Sequence, residues 1–143
     1  MSDRLYTASC LCGGVRIDLS AEPGAIDICH CSMCRKAQGS AFASNAPVDA
    51  RAVSLVSGSE LLASYASSPG HERVFCRKCG SPLFSRNARH PGVLRIRMGI
   101  VNEPVGARPH AHYHVESKAN WWDINDDLPR RYAPNDDIPP GTE

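Results

Sequence analysis

The sequence predicts a mainly β domain of short strands that is held together by metal-binding cysteines. Apolar and polar residues alternate over several short segments, as side chains on strands do. Chain breakers are frequent, with 11 glycines and 11 prolines among 143 residues, which favours many strands and turns over long helices. The seven cysteines fall into three tight groups, and such short spacings are typical of zinc sites.

The alternation locates the strands. Residues 15–19 (Val-Arg-Ile-Asp-Leu) and 94–98 (Leu-Arg-Ile-Arg-Met) are predicted to be half-buried strands, because successive side chains point to opposite faces of a sheet. One early helix is predicted over residues 32–37, ended by Gly39. Shorter strands are predicted at residues 53–56, 61–66, 73–76 and 111–115.

The length suits one domain with its own core. We expect residues 1–133 to form a single zinc-binding β domain, and residues 134–143 to be a polar, proline-rich tail. The formal net charge is +1 and the basic residues are scattered, so neither nucleic acid nor a membrane surface is expected as a partner.

The beginning of the chain lacks the apolar stretch of a signal peptide, and no apolar run approaches the length of a membrane span. A cytoplasmic protein with reduced thiols is therefore expected. Seven cysteines also cannot all pair within one chain, which argues against the disulfide framework of a secreted protein.

Two of the cysteine groups are pairs, Cys10-x-Cys12 and Cys76-x-x-Cys79, and each is followed directly by a glycine. A turn of this kind presents two sulfurs on one side of the backbone, and the glycine permits the positive φ that the turn often needs. Neither pair can saturate a zinc ion alone. Joined, they form a four-cysteine structural zinc site that ties the N-terminal strand to a distant turn.

The third group, Cys29-x-Cys31-x-x-Cys34, offers three sulfurs within six residues. Three protein ligands leave one position for water, a substrate or a remote side chain, as a catalytic zinc requires. Three thiolates make the metal a weak activator of water but a good partner for a soft thiol. Alternatively, a histidine completes a purely structural site. The candidate histidines are His30, His110, His112 and His114.

The order of these motifs resembles that of the glutathione-dependent formaldehyde-activating enzyme family, which also includes centromere protein V. The matching pattern is C-x-C-G, then C-H-C-x-x-C-R-K, then C-x-x-C-G. Two later segments are similar as well, Gly99-Ile-Val-Asn-Glu-Pro and the stretch from His112 through Lys118 to Trp121. The resemblance covers about residues 6–134.

The resemblance implies a mainly β, Mss4-like (β-tent) fold of short antiparallel strands with little helix. It implies two zinc ions per chain, a structural ion and a catalytic ion. It also implies a carbon–sulfur lyase-type reaction that forms or cleaves a thiol–aldehyde adduct. The reactants are glutathione and formaldehyde, which give S-hydroxymethylglutathione, or a related pair. The implied structural ligands are Cys10, Cys12, Cys76 and Cys79, and the implied catalytic ligands are Cys29, Cys31 and Cys34.

Two other functions remain open at this point, a non-catalytic zinc-binding interaction module and a zinc or thiol buffer. The oligomeric state is also open, a homo-oligomer included. Arg35 and Lys36 either neutralise an anionic thiol such as glutathione or form a solvated helix face. Trp121 either walls a pocket or belongs to the core, and Ser40 and Phe42 are weaker pocket candidates.

Overall fold

The structure is a computed structural model that describes residues 4–132, and these residues form ten β-strands, one α-helix and four short 3-10 helices. This mainly β architecture confirms the predicted fold class. The predicted tail, residues 134–143, lies outside the described residues. No helix between residues 4 and 132 is long and apolar enough to cross a membrane.

In chain order the strands are β1 Tyr6–Ser9, β2 Arg16–Leu19, β3 Ile26–Cys29, β4 Ala43–Asp49, β5 Val53–Ser57, β6 Leu62–Ser68, β7 His71–Cys76, β8 Pro82–Asn87, β9 Val93–Arg97 and β10 Pro109–Tyr113.

The strands form two sheets. A three-stranded sheet has the order β1-β2-β5, and a seven-stranded sheet has the order β10-β3-β4-β9-β8-β7-β6. Neighbouring strands are antiparallel except for β10 and β3, which are parallel. A parallel pair needs a long connection, and here the chain between β3 and β10 contains the α-helix, β5 of the small sheet and the other five strands of the large sheet.

Each of the six predicted strands coincides with an observed one, namely β2, β5, β6, β7, β9 and β10. Alternation did not predict β1, β3, β4 or β8. All four residues of β3 are buried, so this strand shows no alternation. Prolines lie inside β4, at Pro47, and at the start of β8, at Pro82, and proline argues against a strand because it cannot donate to the ladder.

The prediction that β9 is half-buried is wrong. Arg95, Ile96 and Arg97 are all buried, because β9 lies between β4 and β8 in the middle of the large sheet. Both arginines have polar partners in the protein interior. Arg95 makes a close ion pair with Asp27, and Nη1 of Arg97 donates to Oγ of Ser85 at 3.3 Å.

The predicted helix is present as α1, Ser32–Gln38. Cys31 caps its N-terminus, since the Cys31 Sγ accepts a hydrogen bond from the Cys34 N–H at 3.2 Å. Gly39 ends the helix in the left-handed conformation, with φ +60°, and its N–H donates to the Arg35 carbonyl. The first cap is therefore made by a candidate metal ligand, which fixes the helix relative to the three-cysteine group.

One apolar core joins the two sheets. Ile17 and Leu19 of β2 belong to the same buried cluster as Leu83 of β8 and Ile96 of β9. Burial of side chains of this size stabilises a fold by roughly 1.5–3 kcal/mol each. A separate small cluster contains Cys29, Cys34 and Ala43, so the three-cysteine group lies beside the main core and is not part of it.

Candidate metal centres

The structure brings Cys10, Cys12, Cys76 and Cys79 together. Their four sulfur atoms all lie within 4.8 Å of one another. The Sγ atoms of Cys10 and Cys12 are 3.5 Å apart, and those of Cys12 and Cys76 are 3.9 Å apart although these residues are 64 positions apart in the sequence. Zn–S bonds of 2.3 Å in a tetrahedron place sulfurs about 3.8 Å apart, so this four-cysteine cluster fits zinc.

Two tight turns hold this cluster. Gly80, after the second pair, has φ +82°, and its N–H donates to the Cys76 carbonyl at 2.7 Å. The positive φ predicted there is confirmed. In the other turn, the backbone N–H of Gly14 donates to the Cys12 Sγ at 3.4 Å, and that of Val15 donates to the Cys10 Sγ at 3.3 Å. These donors favour the thiolate forms that a metal needs.

Ser81 connects the two turns, and sequence reasoning missed it. Its hydroxyl accepts a hydrogen bond from the Leu11 N–H at 2.8 Å and lies 3.2 Å from the Cys79 Sγ. Hydrogen bonds from the Ser81 side chain and backbone lower the pKa of the Cys79 thiol to about 5. The only available signal was a serine directly after a C-x-x-C-G motif.

The second cluster brings together Cys29, Cys31 and Cys34, whose sulfurs also lie within 4.8 Å of one another. Cys29 ends β3, Cys31 caps α1, and Cys34 lies in the first turn of α1. Cys29 and Cys34 are fully buried, whereas Cys31 is partly accessible. Within residues 4–132 no histidine, aspartate or glutamate joins this three-cysteine cluster, so those residues supply three sulfurs and no fourth ligand.

The candidate histidines have other partners. His30 points to His112, with 2.8 Å between Nε2 and Nδ1, and His112 Nε2 lies 3.0 Å from the Asp126 carboxylate. Burial and, to a smaller extent, the neighbouring His112 lower the pKa of His30 to about 4. His30 is therefore neutral near pH 7. His110 Nε2 lies 2.6 Å from Oδ1 of Asp27.

His110, His112 and His114 occur at every second residue, a spacing that predicts one shared face on a regular strand, but the structure does not form that face. A register shift lies between Pro109 and Ala111 of β10, and His114 lies beyond the strand with φ +56°. The three histidines of this run therefore have different surroundings. A histidine-completed triplet, the structural alternative considered from the sequence, finds no support among the described residues.

Two arginines lie beside the three-cysteine cluster. Both Nη atoms of Arg73 are 3.8 Å from the Cys34 Sγ. Arg73 and Arg97 are only 8% and 5% exposed. Contacts with Cys29 and Cys31, together with the charges of Arg73 and Arg97, hold the pKa of Cys34 well below its usual range. Burial lowers the pKa of Arg97 to about 10, which leaves it cationic at neutral pH.

Sequence reasoning missed the two arginines, although both lie on predicted strands. Arg73 begins the segment predicted at residues 73–76, and Arg97 lies in the one predicted at 94–98. Alternation assigns such charged residues to a solvent face. In the structure, a cavity of about 210 Å³ lies between α1 and strands β6 to β9, and Arg73 and Arg97 both line it. We call it the arginine cavity.

The structure places some of the weaker candidates for pocket residues in clefts and others elsewhere. Nε of Arg35 donates to the Ser117 carbonyl at 3.1 Å, and Lys36 lines a cleft next to the arginine cavity. Trp121 is 68% exposed, so it is not a core residue. Its neighbour Trp122 and Phe42 instead line a separate cleft of about 390 Å³ that also includes His112.

Comparison with known proteins supports the resemblance seen in the motifs. The sequence profile described as glutathione-dependent formaldehyde-activating enzyme matches residues 5–117. A Halomonas elongata protein provisionally named a glutathione-dependent formaldehyde-activating enzyme is 33% identical over 129 residues, covering 84% of this chain and 81% of that protein. An uncharacterised lyase of Schizosaccharomyces pombe is 33% identical over 79 residues, covering 55% of this chain and 56% of that protein.

A solved structure shares the fold. The crystal structure of a Rhodobacter sphaeroides protein superposes with a TM-score of 0.60 at 24% identity, covering 71% of this chain and 97% of that one. The structural likeness concerns the fold alone, whereas the match to the family profile extends over both cysteine clusters. By its sequence, the chain belongs to the glutathione-dependent formaldehyde-activating enzyme family.

Proposed function

We propose that the chain is a zinc-dependent carbon–sulfur lyase-type enzyme that forms or cleaves a thiol–aldehyde adduct. The substrates are glutathione and formaldehyde, which give S-hydroxymethylglutathione, or a related thiol and aldehyde. The family supports this reaction, and the name of the Halomonas elongata relative contains the same two small molecules. The proposed setting is the cytoplasm, where glutathione is abundant and thiols stay reduced.

The observation that carries the proposal is the difference in ligand number between two cysteine clusters of one chain. The four-cysteine cluster has a complete tetrahedral set, and the three-cysteine cluster has three sulfurs with an arginine-lined cavity beside it. In zinc proteins a complete set is typical of structural sites, and three protein ligands with an open position are typical of catalytic sites. The chain therefore has the donor sets for two zinc ions.

The roles of the cysteines follow from this difference. Cys29, Cys31 and Cys34 would hold the catalytic zinc, which supplies a soft positive centre that favours the thiolate form of a bound thiol. The structural zinc would be held by Cys10, Cys12, Cys76 and Cys79.

The chemical step itself is simple. The thiol loses its proton, the thiolate sulfur attacks the aldehyde carbon, and the C=O electron pair moves to oxygen, which takes up a proton. One C–S bond forms and no oxidant is needed. Arg73 and Arg97 hold fixed positive charge beside the cysteines, where it favours an anionic sulfur over a neutral thiol. Positioning of the two reactants supplies the rest of the acceleration.

The test is exchange NMR on zinc-loaded protein with glutathione and formaldehyde. We expect the exchange between glutathione and its hydroxymethyl adduct to exceed the uncatalysed rate by about an order of magnitude or more. Cys31→Ser should return the rate to the uncatalysed value, whereas Ser32→Ala, a change at the adjacent exposed residue, should leave it high. Equal exchange rates with and without the wild-type protein would exclude this reaction.

A further inference from the structure

The arginine cavity combines positive charge with an absence of carboxylates. Two guanidinium groups line it, and no aspartate or glutamate is among its described lining residues. Next to it lies an outer cleft of about 350 Å³ that shares Ala37, Tyr65 and Arg73 with it and is also lined by Lys36. The outer cleft also has no carboxylate among its described lining residues. Both spaces are therefore suited to an anion.

Several hydrogen-bond donors around these spaces have no acceptor within residues 4–132. Gln38, Arg73 and Arg97 all line the arginine cavity. Nε2 of Gln38 and Nε of each arginine are buried without a hydrogen-bond partner among the described residues. Ser67 lines the outer cleft, and its buried hydroxyl also has no hydrogen-bond partner among the described residues. Unsatisfied buried donors are costly, and their concentration here indicates that a ligand oxygen belongs at this place.

The cavity lies next to the three-cysteine cluster, because Arg73 lines the cavity and both of its Nη atoms are 3.8 Å from the Cys34 Sγ. One guanidinium group therefore separates a ligand in the cavity from the cysteines. Charge favours the same arrangement. Three thiolates on one zinc dication give a formal charge of −1, and two guanidinium groups give +2, so the surroundings remain positive and accept further negative charge.

Resting on the proposed function, we infer that the arginine cavity is the subsite that recognises a carboxylate of the thiol substrate, with Arg97 and Gln38 as its specificity-determining residues. The substrate class is a thiol that carries a carboxylate. Glutathione has two carboxylates and belongs to this class, whereas simple alkyl thiols do not. The outer cleft, with Tyr65 and Lys36, holds the remainder of the molecule.

A purely structural role of the arginines makes a different prediction. If Arg73 and Arg97 only neutralise the cysteines, then the charge of the substrate has no effect on its affinity. Gln38 separates the two roles because it lines the cavity, is only partly buried and carries no charge. Gln38→Glu keeps the size of the side chain and places a carboxylate of the chain itself in the cavity, where it would take the place of the substrate's carboxylate.

The experiment is isothermal titration calorimetry of zinc-loaded, full-length protein with glutathione and with glutathione diethyl ester, which has the same thiol and no free carboxylate. We expect glutathione to bind about tenfold to a hundredfold more tightly, as charge-assisted hydrogen bonds would provide. Gln38→Glu should remove most of this preference and leave the binding of the ester unchanged. The control Arg51→Gln makes the same change in net charge at an exposed residue outside the cavity and should bind both thiols like the wild type.

Arg97→Met is the second variant, and it should also lose the preference for glutathione over the ester. Equal affinities of the wild type for the two thiols would overturn this inference and leave the proposed reaction standing. Retention of the full preference by Gln38→Glu would likewise overturn it. Binding of neither thiol would overturn both proposals together.

Discussion

The two cysteine clusters have the same ligand chemistry but different surroundings. The four-cysteine cluster joins two turns that are far apart in the sequence, and its sulfurs receive hydrogen bonds from the backbone of those turns. The three-cysteine cluster comes from one short segment, and its neighbours are arginine side chains from distant strands. Closing a long loop with metal stabilises a fold, whereas a cluster from one segment adds little to the topology. On this comparison we propose a folding role for the four-cysteine cluster and a chemical role for the three-cysteine cluster.

The largest effect expected from this comparison concerns folding. Cys76→Ser removes a proposed zinc ligand that connects β7 to the N-terminal turn, and we expect loss of the cooperative fold at room temperature, because structural zinc contributes about 10 kcal/mol or more to folding. Cys31→Ser should keep a native circular dichroism spectrum and a cooperative melt. If the two variants unfold to the same extent, the distinction between the clusters is wrong.

The next effect concerns the release of metal. A chelator with colorimetric detection should remove one equivalent of zinc from the native protein at least about ten times faster than the other, because an open three-thiolate site exchanges ligands more readily than a closed one. In Cys31→Ser only the slow phase should remain. Release of two equivalents in a single phase from the wild type would contradict this expectation.

A smaller effect is expected when one of the side chains that position the three-cysteine cluster is changed. His30 lies between two of the cysteines, and the chain from His30 through His112 ends at the Asp126 carboxylate. Asp126→Asn weakens the acceptor that orients His112, and we expect the zinc affinity of the three-cysteine cluster to fall by about threefold to tenfold. Competition titration with a zinc indicator measures it, and the neighbouring change Asp127→Asn serves as control. An equal loss at the four-cysteine cluster would show a general effect on folding instead.

The smallest effect concerns the anchoring of β1, which leads into the four-cysteine cluster. The Glu103 carboxylate accepts hydrogen bonds from the N–H and the hydroxyl of Thr7, both at 2.6 Å, and these bonds lower the pKa of Glu103. A carboxylate with a lowered folded-state pKa adds stability above its unfolded-state pKa, and this stability is lost as the pH falls through the folded-state pKa.

Glu103→Gln should therefore lower the melting temperature by on the order of a degree or two at neutral pH. The difference from the wild type should shrink as the pH is lowered into the acidic range, whereas Glu60→Gln should have no such effect. Thermal melts across that pH range measure it. A difference that grows towards acidic pH would contradict the assignment.

The sequence predicted the two cysteine clusters but not the residues that surround them. The cysteine spacings predicted both clusters because each short motif carries its own geometry, and Gly39 and Gly80 marked the turns correctly. The arginines were not predicted. Arg73 and Arg97 follow an alternating pattern that normally indicates a solvent face, and only the position of β9 in the middle of the sheet buries Arg97. That position depends on strand order, which short-range patterns do not contain.

The partners of the histidines depend on the same long-range information. A run of histidines at every second residue predicts a single face, but the register shift in β10 and the pairing of that strand with β3 determine their neighbours. His112 meets His30 only because β10 returns parallel to β3. Strand β3 itself gave no alternating signal, since it is buried along its whole length.

A cobalt titration of the metal-free protein tests most directly whether the chain contains one closed and one open metal site. We predict two equivalents of tetrahedral cobalt–thiolate absorption per chain, and addition of glutathione should change the d–d bands of one equivalent only. Cys31→Ser should bind one equivalent whose spectrum glutathione leaves unchanged. Binding of a single equivalent by the wild type, or a wild-type spectrum that does not respond to glutathione, would contradict the account.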